Sequence, residues 1–252
     1  MTLDEQLEEL RNNMLRDNSD LVSGSADELW SDETLLRYIK DAERRFARRT
    51  LMLRDGTTPE VVQVRLRDGV KTYKLHDSVM AVLAARYDTN NYDMQRSGHA
   101  LVQPGNPPEF LSFDPANPGS MLPGAPLAYF TDETLVFGRK RAVTMSFYPV
   151  PGAAEENKIV YMRVVRYPMT CYGADDLDKE SEIPEDYQLD VLEWAAYLAM
   201  RGFDADTGSA TNSDKHKAAF EEAIARAQME MKRTIHANTG LAYGSNGFSW
   251  GR

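Results

Sequence analysis

The sequence predicts an α+β fold: a helical core, built from one early helix and a C-terminal antiparallel helix pair, with a central β-sandwich or barrel-like insertion. Three observations predict it. Apolar residues recur at helical spacing near both ends of the chain, they alternate at period two through the middle, and no strand alternates regularly with a helix, which disfavours a doubly wound nucleotide fold. The corresponding organisation is an N-terminal arm and linker over 1–27, a helical core over 28–58 and 175–236, a β-rich insertion over 59–174, and an extended C-terminal tail over 237–252.

Leu3, Leu7, Leu10 and Met14 share one helical face, and Thr2 with Glu5 has the spacing of a capping box, so a short amphipathic helix starts the chain. Residues 17–27 are rich in Asn, Ser, Asp and Gly, whose side chains compete with a helix ladder for backbone groups; they read as a linker, which makes the first helix an arm. Ser31 is a good N-cap, Trp30 and Leu35 stand where a hydrophobic staple would, and Leu35, Ile39, Ala42 and Phe46 carry the first core helix to Thr50.

From Val61 the period changes. Val62, Val64 and Leu66 alternate with Gln63, Arg65 and Arg67, the pattern of a strand with one wet face. The apolar run from Val79 to Tyr87 fits a buried strand or a short helix, and its β-rich surroundings favour the strand. Pro104, Pro107, Pro108, Pro115, Pro118, Pro123 and Pro126 then exclude continuous strands and predict a long stiffened loop, with Phe110 to Phe113 as a short strand inside it. Leu135 to Phe137, the turn Gly138-Arg139-Lys140, and Val143, Met145 and Phe147 at alternate positions read as a hairpin, and Lys158 to Tyr167 supplies the next strand.

After an acidic loop over 175–182, Pro184 takes a first-turn position where its missing N–H is harmless. Tyr187, Val191, Trp194 and Leu198 form the stripe of a second core helix that runs to Arg201. Gly202 to Ser213 reads as a turn, and Phe220, Ile224, Ala227, Met231 and Ile235 are in register for a third helix.

Composition bounds the function. In 252 residues, 42% hydrophobic and 27% charged is the balance of a folded globular chain. Twenty-nine basic against thirty-nine acidic side chains leave a net charge of -10, which repels phosphate backbones and excludes free duplex DNA as the expected target. The single Cys171, the absence of a basic-then-apolar leader and the absence of a membrane-length apolar run lead to the expectation of a soluble protein made in a reducing cytoplasm.

Catalytic and metal chemistry find little support. His76, His99, His216 and His236 lie in unlike segments, and none stands at a ligand spacing from another His or from Cys171. Asp204 to Gly208 resembles the start of a calcium loop but places Gly208 at the fifth position and Lys215 where a bidentate Glu is needed. Asp190 and Glu193 share a helix face without any sign of desolvation, and no phosphate loop or dinucleotide fingerprint appears. The expectation is a non-enzymatic protein with no catalytic residue, no cofactor and no metal.

Two features point instead to assembly. Arg44, Arg45, Arg48 and Arg49 cluster at the end of the first core helix, where they suit the helix dipole and also form a basic patch. That patch would meet acidic loop residues of a neighbouring subunit, such as Asp175, Asp176 and Asp178, or line a channel for DNA. The glycine-rich tail carries Leu241, Tyr243, Phe248, Trp250 and Arg252, aromatic and guanidinium anchors on a segment able to lie in a groove, and is the expected portal or subunit interface.

Three segments resemble the head-to-tail adaptors, also called connector or gatekeeper proteins, of tailed bacteriophages. The first is the helix after Trp30, Ser31-Asp32-Glu33-Thr34-Leu35-Leu36-Arg37-Tyr38-Ile39-Lys40-Asp41-Ala42. The second is the strand that ends in a Pro-x-Pro turn and the strand closing on an aromatic and Pro, Val143 to Pro151 and Val160 to Pro168. The third is the closing helix pair, which opens with Ile183-Pro184-Glu185-Asp186-Tyr187, turns at Asp204-Ala205-Asp206 and resumes with Ala218-Ala219-Phe220-Glu221-Glu222-Ala223.

The resemblance implies a virion protein at the head-tail junction. It would be a homo-oligomeric ring of about twelve copies with head-to-tail interfaces. Such a ring would bind the portal on one side and dock tail tube, nozzle or fibre proteins on the other. DNA would be passing cargo only, and no membrane would be involved. Two other readings compete: another tail component, such as a tail-tube or tail-completion protein, and a carbohydrate-binding or other β-sandwich module, which would need Tyr87, Tyr92, Tyr129 and Tyr148 exposed.

Overall fold

Thr2 starts the chain as the sequence predicts. Its hydroxyl accepts the Glu5 amide at 3.2 Å while the Glu5 carboxylate accepts the Thr2 amide at 2.9 Å, a complete capping box that begins α1 (Leu3–Glu9). A π-helical turn, Leu10–Leu15, continues it until Arg16 turns left-handed (φ 54). The helix is not an arm. Leu3 and Leu10 are fully buried, Leu7 nearly so, and the amides of Leu3 and Asp4 donate to the carbonyls of Lys179 and Leu177. The apolar stripe that marked an amphipathic helix is therefore a packing face of the helical unit.

The computed structural model describes residues 1–16, 29–87, 92–96, 123–136, 140–170, 172–201 and 209–238. The chain divides into two units, one of Met1–Met52 with Pro168–Arg252, the other of Leu53–Tyr167. The proline-rich loop, the short strand over 110–113, the linker 17–27 and the C-terminal tail lie outside the described residues, apart from the loop's end at 123–126 and the first positions of the tail span, which close the last helix.

In the helical unit, α2 (Asp32–Thr50) follows Ser31, whose hydroxyl lies 2.9 Å from that of Thr34 rather than on a backbone amide. It buries Leu35, Leu36, Ile39, Ala42, Phe46 and Ala47, and ends where Leu51 adopts a left-handed conformation (φ 56). Next, α4 (Glu185–Arg201) buries Tyr187, Val191, Leu192 and Trp194, whereas Leu198 is half-buried and ends the predicted stripe early. The third helix, α5 (Ser209–Asn238), begins earlier than the sequence predicts, because residues 209–213 are helical rather than turn. Phe220, Ile224 and Ala227 are its buried anchors, and Phe220 stands between Trp194 and Phe46, at ring-centroid distances of 5.2 and 6.4 Å.

The β unit opens with β1 (Arg54–Asp55) and a short helix, α3 (Pro59–Val62), which corrects the strand predicted from Val61. Thr58 and Pro59 explain the difference: Pro at the first helical position starts a turn, and the period-two pattern holds only from Gln63. The strands that follow are β2 (Gln63–Arg65), β3 (Thr72–Lys74), β4 (Val79–Tyr87), β5 (Tyr92–Asp93), β6 (Gln95–Arg96), β7 (Ala128–Val136), β8 (Lys140–Tyr148) and β9 (Ile159–Arg166). They form two largely antiparallel sheets. In one, β9 lies between β4 and both β1 and β2, with β5 beyond β4; the other runs β3-β8-β7-β6.

The apolar run Val79–Tyr87 is a strand, as its surroundings suggest, and β7 and β8 form the expected hairpin, though β7 starts at Ala128 rather than Leu135. Val82, Ala85, Tyr87, Val160, Met162 and Val164 from one sheet, and Met145 and Phe147 from the other, supply the buried side chains. Tyr87 and Tyr129 are 0% and 1% exposed and belong to the core, Tyr148 is half-buried, and the side chain of Tyr92 lies outside the described residues, so two of the four tyrosines are withdrawn from the exposed aromatic face that a carbohydrate-binding module requires.

Candidate functional site

The surface chemistry of the helical unit centres on α2. Its apolar positions bury one face, and the spacing 37, 40, 44, 48 sets Arg37, Lys40, Arg44 and Arg48, all exposed, along the opposite one. Proximity in sequence groups Arg44, Arg45, Arg48 and Arg49, and the structure separates them. The Arg45 guanidinium stacks 3.8 Å from the centre of the Trp194 ring, while the Trp194 indole N–H donates to Asp41 at 3.0 Å. The Arg49 guanidinium pairs with the Glu221 carboxylate at 2.5 Å, and this partner raises the Arg49 pKa and lowers that of Glu221. Arg45 and Arg49 thus fasten α2 to α4 and α5, and Arg44 and Arg48 remain outward with Arg37 and Lys40. Those last two were missed because they precede the dense part of the cluster; counting the helical period backwards would have found them.

Beneath this face lies a buried carboxylate. Glu43 is 0% exposed; its Oε1 accepts from the Ser181 hydroxyl at 2.6 Å and from the Gln6 amide at 3.4 Å, and its Oε2 accepts from the Tyr172 hydroxyl. Burial raises the Glu43 pKa against the lowering effect of these donors. One side chain of α2 therefore ties α1 to the segment after Pro168. Close by, the N-terminal ammonium donates to Gln188 Oε1 at 2.7 Å, and Thr2 bridges to Glu180. The acidic loop is consequently held against α1, with Asp175, Asp178 and Glu180 exposed.

The groups weighed for catalysis are engaged elsewhere. His216 Nδ1 lies 2.6 Å from a Glu193 carboxylate oxygen, Arg226 pairs with Asp190, and His76 Nδ1 lies 2.8 Å from the Ser78 hydroxyl. Asp190 and Glu193 are thus spent on joining α4 to α5. Among the described residues no group of three His, Cys, Asp or Glu side chains is placed to hold a metal ion. No helix there is long and apolar enough to cross a membrane. Cys171, His99, the calcium-like stretch Asp204 to Gly208, and the tail residues Leu241, Tyr243, Phe248, Trp250 and Arg252 lie outside the described residues.

A second set of exposed charges, on the β unit, has no signal in the local sequence. Arg65, Arg86 and Arg163 stand on the solvent side of the five-stranded sheet with Tyr161 among them. They come from three strands far apart in sequence, and only the strand register brings them together.

The described surface thus carries charge set out in rows on helix and sheet faces, an arrangement that can steer and orient a protein partner. Residues 1–242 match the family model described as SU10 adaptor protein, and the chain belongs to that family. It is a structural adaptor of a bacteriophage, a virion component that interacts with other phage head and tail proteins. Tyr243, Phe248, Trp250 and Arg252 lie beyond the matched residues. No curated protein matches the chain.

Proposed function

We propose that this adaptor forms a closed ring at the head-tail junction, with the portal on one side and tail proteins on the other, and that it does so without catalysis. The observation that supports this reading best is the family match over residues 1–242, nearly the whole chain. A ring of about twelve copies would follow from a head-to-tail interface between unlike faces of one subunit.

Charge on the helical unit supports such an interface. The outward row Arg37, Lys40, Arg44 and Arg48 is basic on a unit that carries sixteen basic against twenty-seven acidic side chains. Exposed Asp175, Asp178 and Glu180 of a neighbouring copy are its complement. The same row would face passing DNA if it lined the channel instead; salt-sensitive association between copies distinguishes the first role from the second.

The tail residues Leu241, Tyr243, Phe248, Trp250 and Arg252 are assigned to the portal or to a neighbouring subunit on their chemistry: aromatic and guanidinium anchors on a glycine-rich segment. The experiment is co-sedimentation with portal rings. The full chain is expected to pellet with them and then to recruit tail protein, and failure of the full chain to bind at any salt concentration would contradict the reading. A tail-tube or tail-completion role would show instead as binding to tail assemblies without the portal.

A further inference from the structure

We propose that the outer face of the five-stranded sheet is a second docking surface, and that its partner is the acid-lined cleft along α1 of another copy of this chain. The proposal rests on the adaptor reading above, because it needs copies held side by side.

Register builds the face. Residues directly opposite in an antiparallel pair point to the same side. Gln63 on β2 and Arg86 on β4 both stand opposite Tyr161 of β9, making one row about 10 Å wide across three strands. Arg65 lies opposite Ile159 and Ala84 opposite Arg163, the rows on either side. Between Val82 and Ala84 the register shifts, so that two residues of β4 oppose one of β9, and Leu83 is left outward. Leu83 is 40% exposed and Tyr161 37%, while Val82, Ala85, Val160 and Met162 beneath them are buried.

The chemistry of this face is that of a protein contact. Its cations are all arginines, whose planar donors grip carboxylates in pairs where a lysine offers a point charge. Arginine and tyrosine are also among the residues that dominate interface hot spots, and the exposed leucine beside them adds apolar area for a partner to cover. Among the described residues no carboxylate pairs with Arg65, Arg86 or Arg163; Asp93, opposite Arg86 on β5, is the acid that the register brings nearest. The three arginines outnumber the one carboxylate, Asp93, that the register sets beside them on this face, and an acidic partner relieves the repulsion that remains. Nucleic acid fits less well, since the chain as a whole is at -10 and an exposed leucine gains nothing from a phosphate backbone.

The chain carries the complement. Its β unit is nearly neutral, with thirteen basic and twelve acidic side chains, whereas the helical unit holds the acidic excess. On that unit a cleft of about 340 Å³ is lined by Met1, Glu5, Glu8, Glu9, Asn12 and Asn13. Glu5 is engaged by the Thr2 amide and Glu9 by the Asn13 amide group at 2.5 Å, and Glu8 is exposed. A concave row of carboxylates with amide neighbours suits a guanidinium, and a basic sheet meeting an acidic helix is the joining of unlike faces that ring closure requires.

Two charge-reversed full-length chains test this: Arg86→Glu with Arg163→Glu, and Glu8→Arg with Glu9→Arg. All four side chains are exposed or half-exposed and outside the cores, so circular dichroism should match the wild type and Tm should fall by no more than the loss of the exposed Glu9–Asn13 hydrogen bond accounts for. Association is measured by light scattering, alone and on portal rings, at low and high salt. Each variant is expected to self-associate at least about tenfold more weakly than wild type, and an equimolar mixture of the two to recover it, because every mixed interface regains opposite charges.

Wild-type rings with both variants assembling unchanged would overturn this inference and leave the adaptor reading standing. Loss of assembly in each variant without recovery on mixing would also overturn the pairing. A wild-type chain that never assembles, with or without portal, would overturn both. Binding of labelled single- or double-stranded DNA by the wild type, lost in the arginine variant, would make the face a nucleic-acid site and overturn the protein partner.

Discussion

Ser181 donates its hydroxyl hydrogen bond to Glu43 at 2.6 Å, joining the loop before α4 to a carboxylate fully buried in α2. The Tyr172 hydroxyl and the Gln6 amide complete the set, so that three segments distant in sequence converge on one group. Replacing it with alanine leaves these donors without an acceptor in a dry site, and Glu43→Ala is expected to destabilise the helical unit by about 2–4 kcal/mol in chemical denaturation. A loss below about 1 kcal/mol would show that water enters the site and replaces the carboxylate.

The same residue sets a pH dependence of definite sign. Burial raises the Glu43 pKa above 4.5, its ordinary value, so folding takes up a proton between that value and the folded one. The contribution of the neutral acid is therefore complete below pH 4.5 and declines as pH rises through the folded pKa. Glu43→Gln, neutral at every pH, should compare worst with wild type near pH 4 and progressively better toward pH 8, read as the difference in Tm. A difference that stays flat or moves the other way contradicts the buried carboxyl.

Asp55 behaves in the opposite sense. Burial alone would raise its pKa, but the Thr57 and Thr58 amides, at 2.9 and 3.0 Å, and the Arg166 guanidinium, at 2.7 Å, outweigh burial and hold it well below the usual carboxylate range. Its stabilisation is present above 3.8, the unfolded value, and lost as pH falls below it. Asp55→Asn should cost the β unit about 1–3 kcal/mol at pH 7, and the deficit should narrow toward pH 2. A deficit independent of pH would mean that shape alone, and not charge, matters at this turn.

Arg45 and Arg48 are three residues apart on α2 and should respond differently. Arg45→Ala removes a cation from the face of Trp194 and should lower stability by about 1 kcal/mol. Arg48→Ala, at an exposed position, should leave Tm within error but weaken association between copies, with the larger effect at low salt. Equal stability losses in the two variants would contradict the division of the cluster into fastening and outward arginines.

Local signals made much of this fold legible. The Thr2–Glu5 spacing marked the first cap, the stripes at Leu35 to Phe46 and Tyr187 to Trp194 marked core helices, and alternation marked the hairpin and the strand ending at Arg166. The failures came where partners are distant. Nothing near Leu3 says that its amide will meet the Lys179 carbonyl, so a packed helix read as an arm. The outward β face was invisible for the same reason, since Arg65, Arg86 and Arg163 become neighbours only through register with β9. At Val61 the alternation was real but the Thr58-Pro59 helix start overrode it. In the basic cluster, residue type alone could not tell Arg45, which lies on an indole, from Arg48, which faces outward.

Removal of residues 240–252 should leave the fold intact, because the buried anchors of α5, Phe220 to Ala227, lie well before the cut. Circular dichroism and Tm should be unchanged while portal binding weakens. Undiminished complex formation by the truncated chain would remove the tail from the interface.

The most direct measurement is the mass of the purified chain, alone and mixed with its cognate portal, by light scattering with electron-microscope images of any complex. Closed rings, either free or seated on the portal, with a mass near twelve times the 28.4 kDa of one copy, are the predicted result. A chain that stays at 28.4 kDa and ignores the portal at high concentration would contradict the ring adaptor.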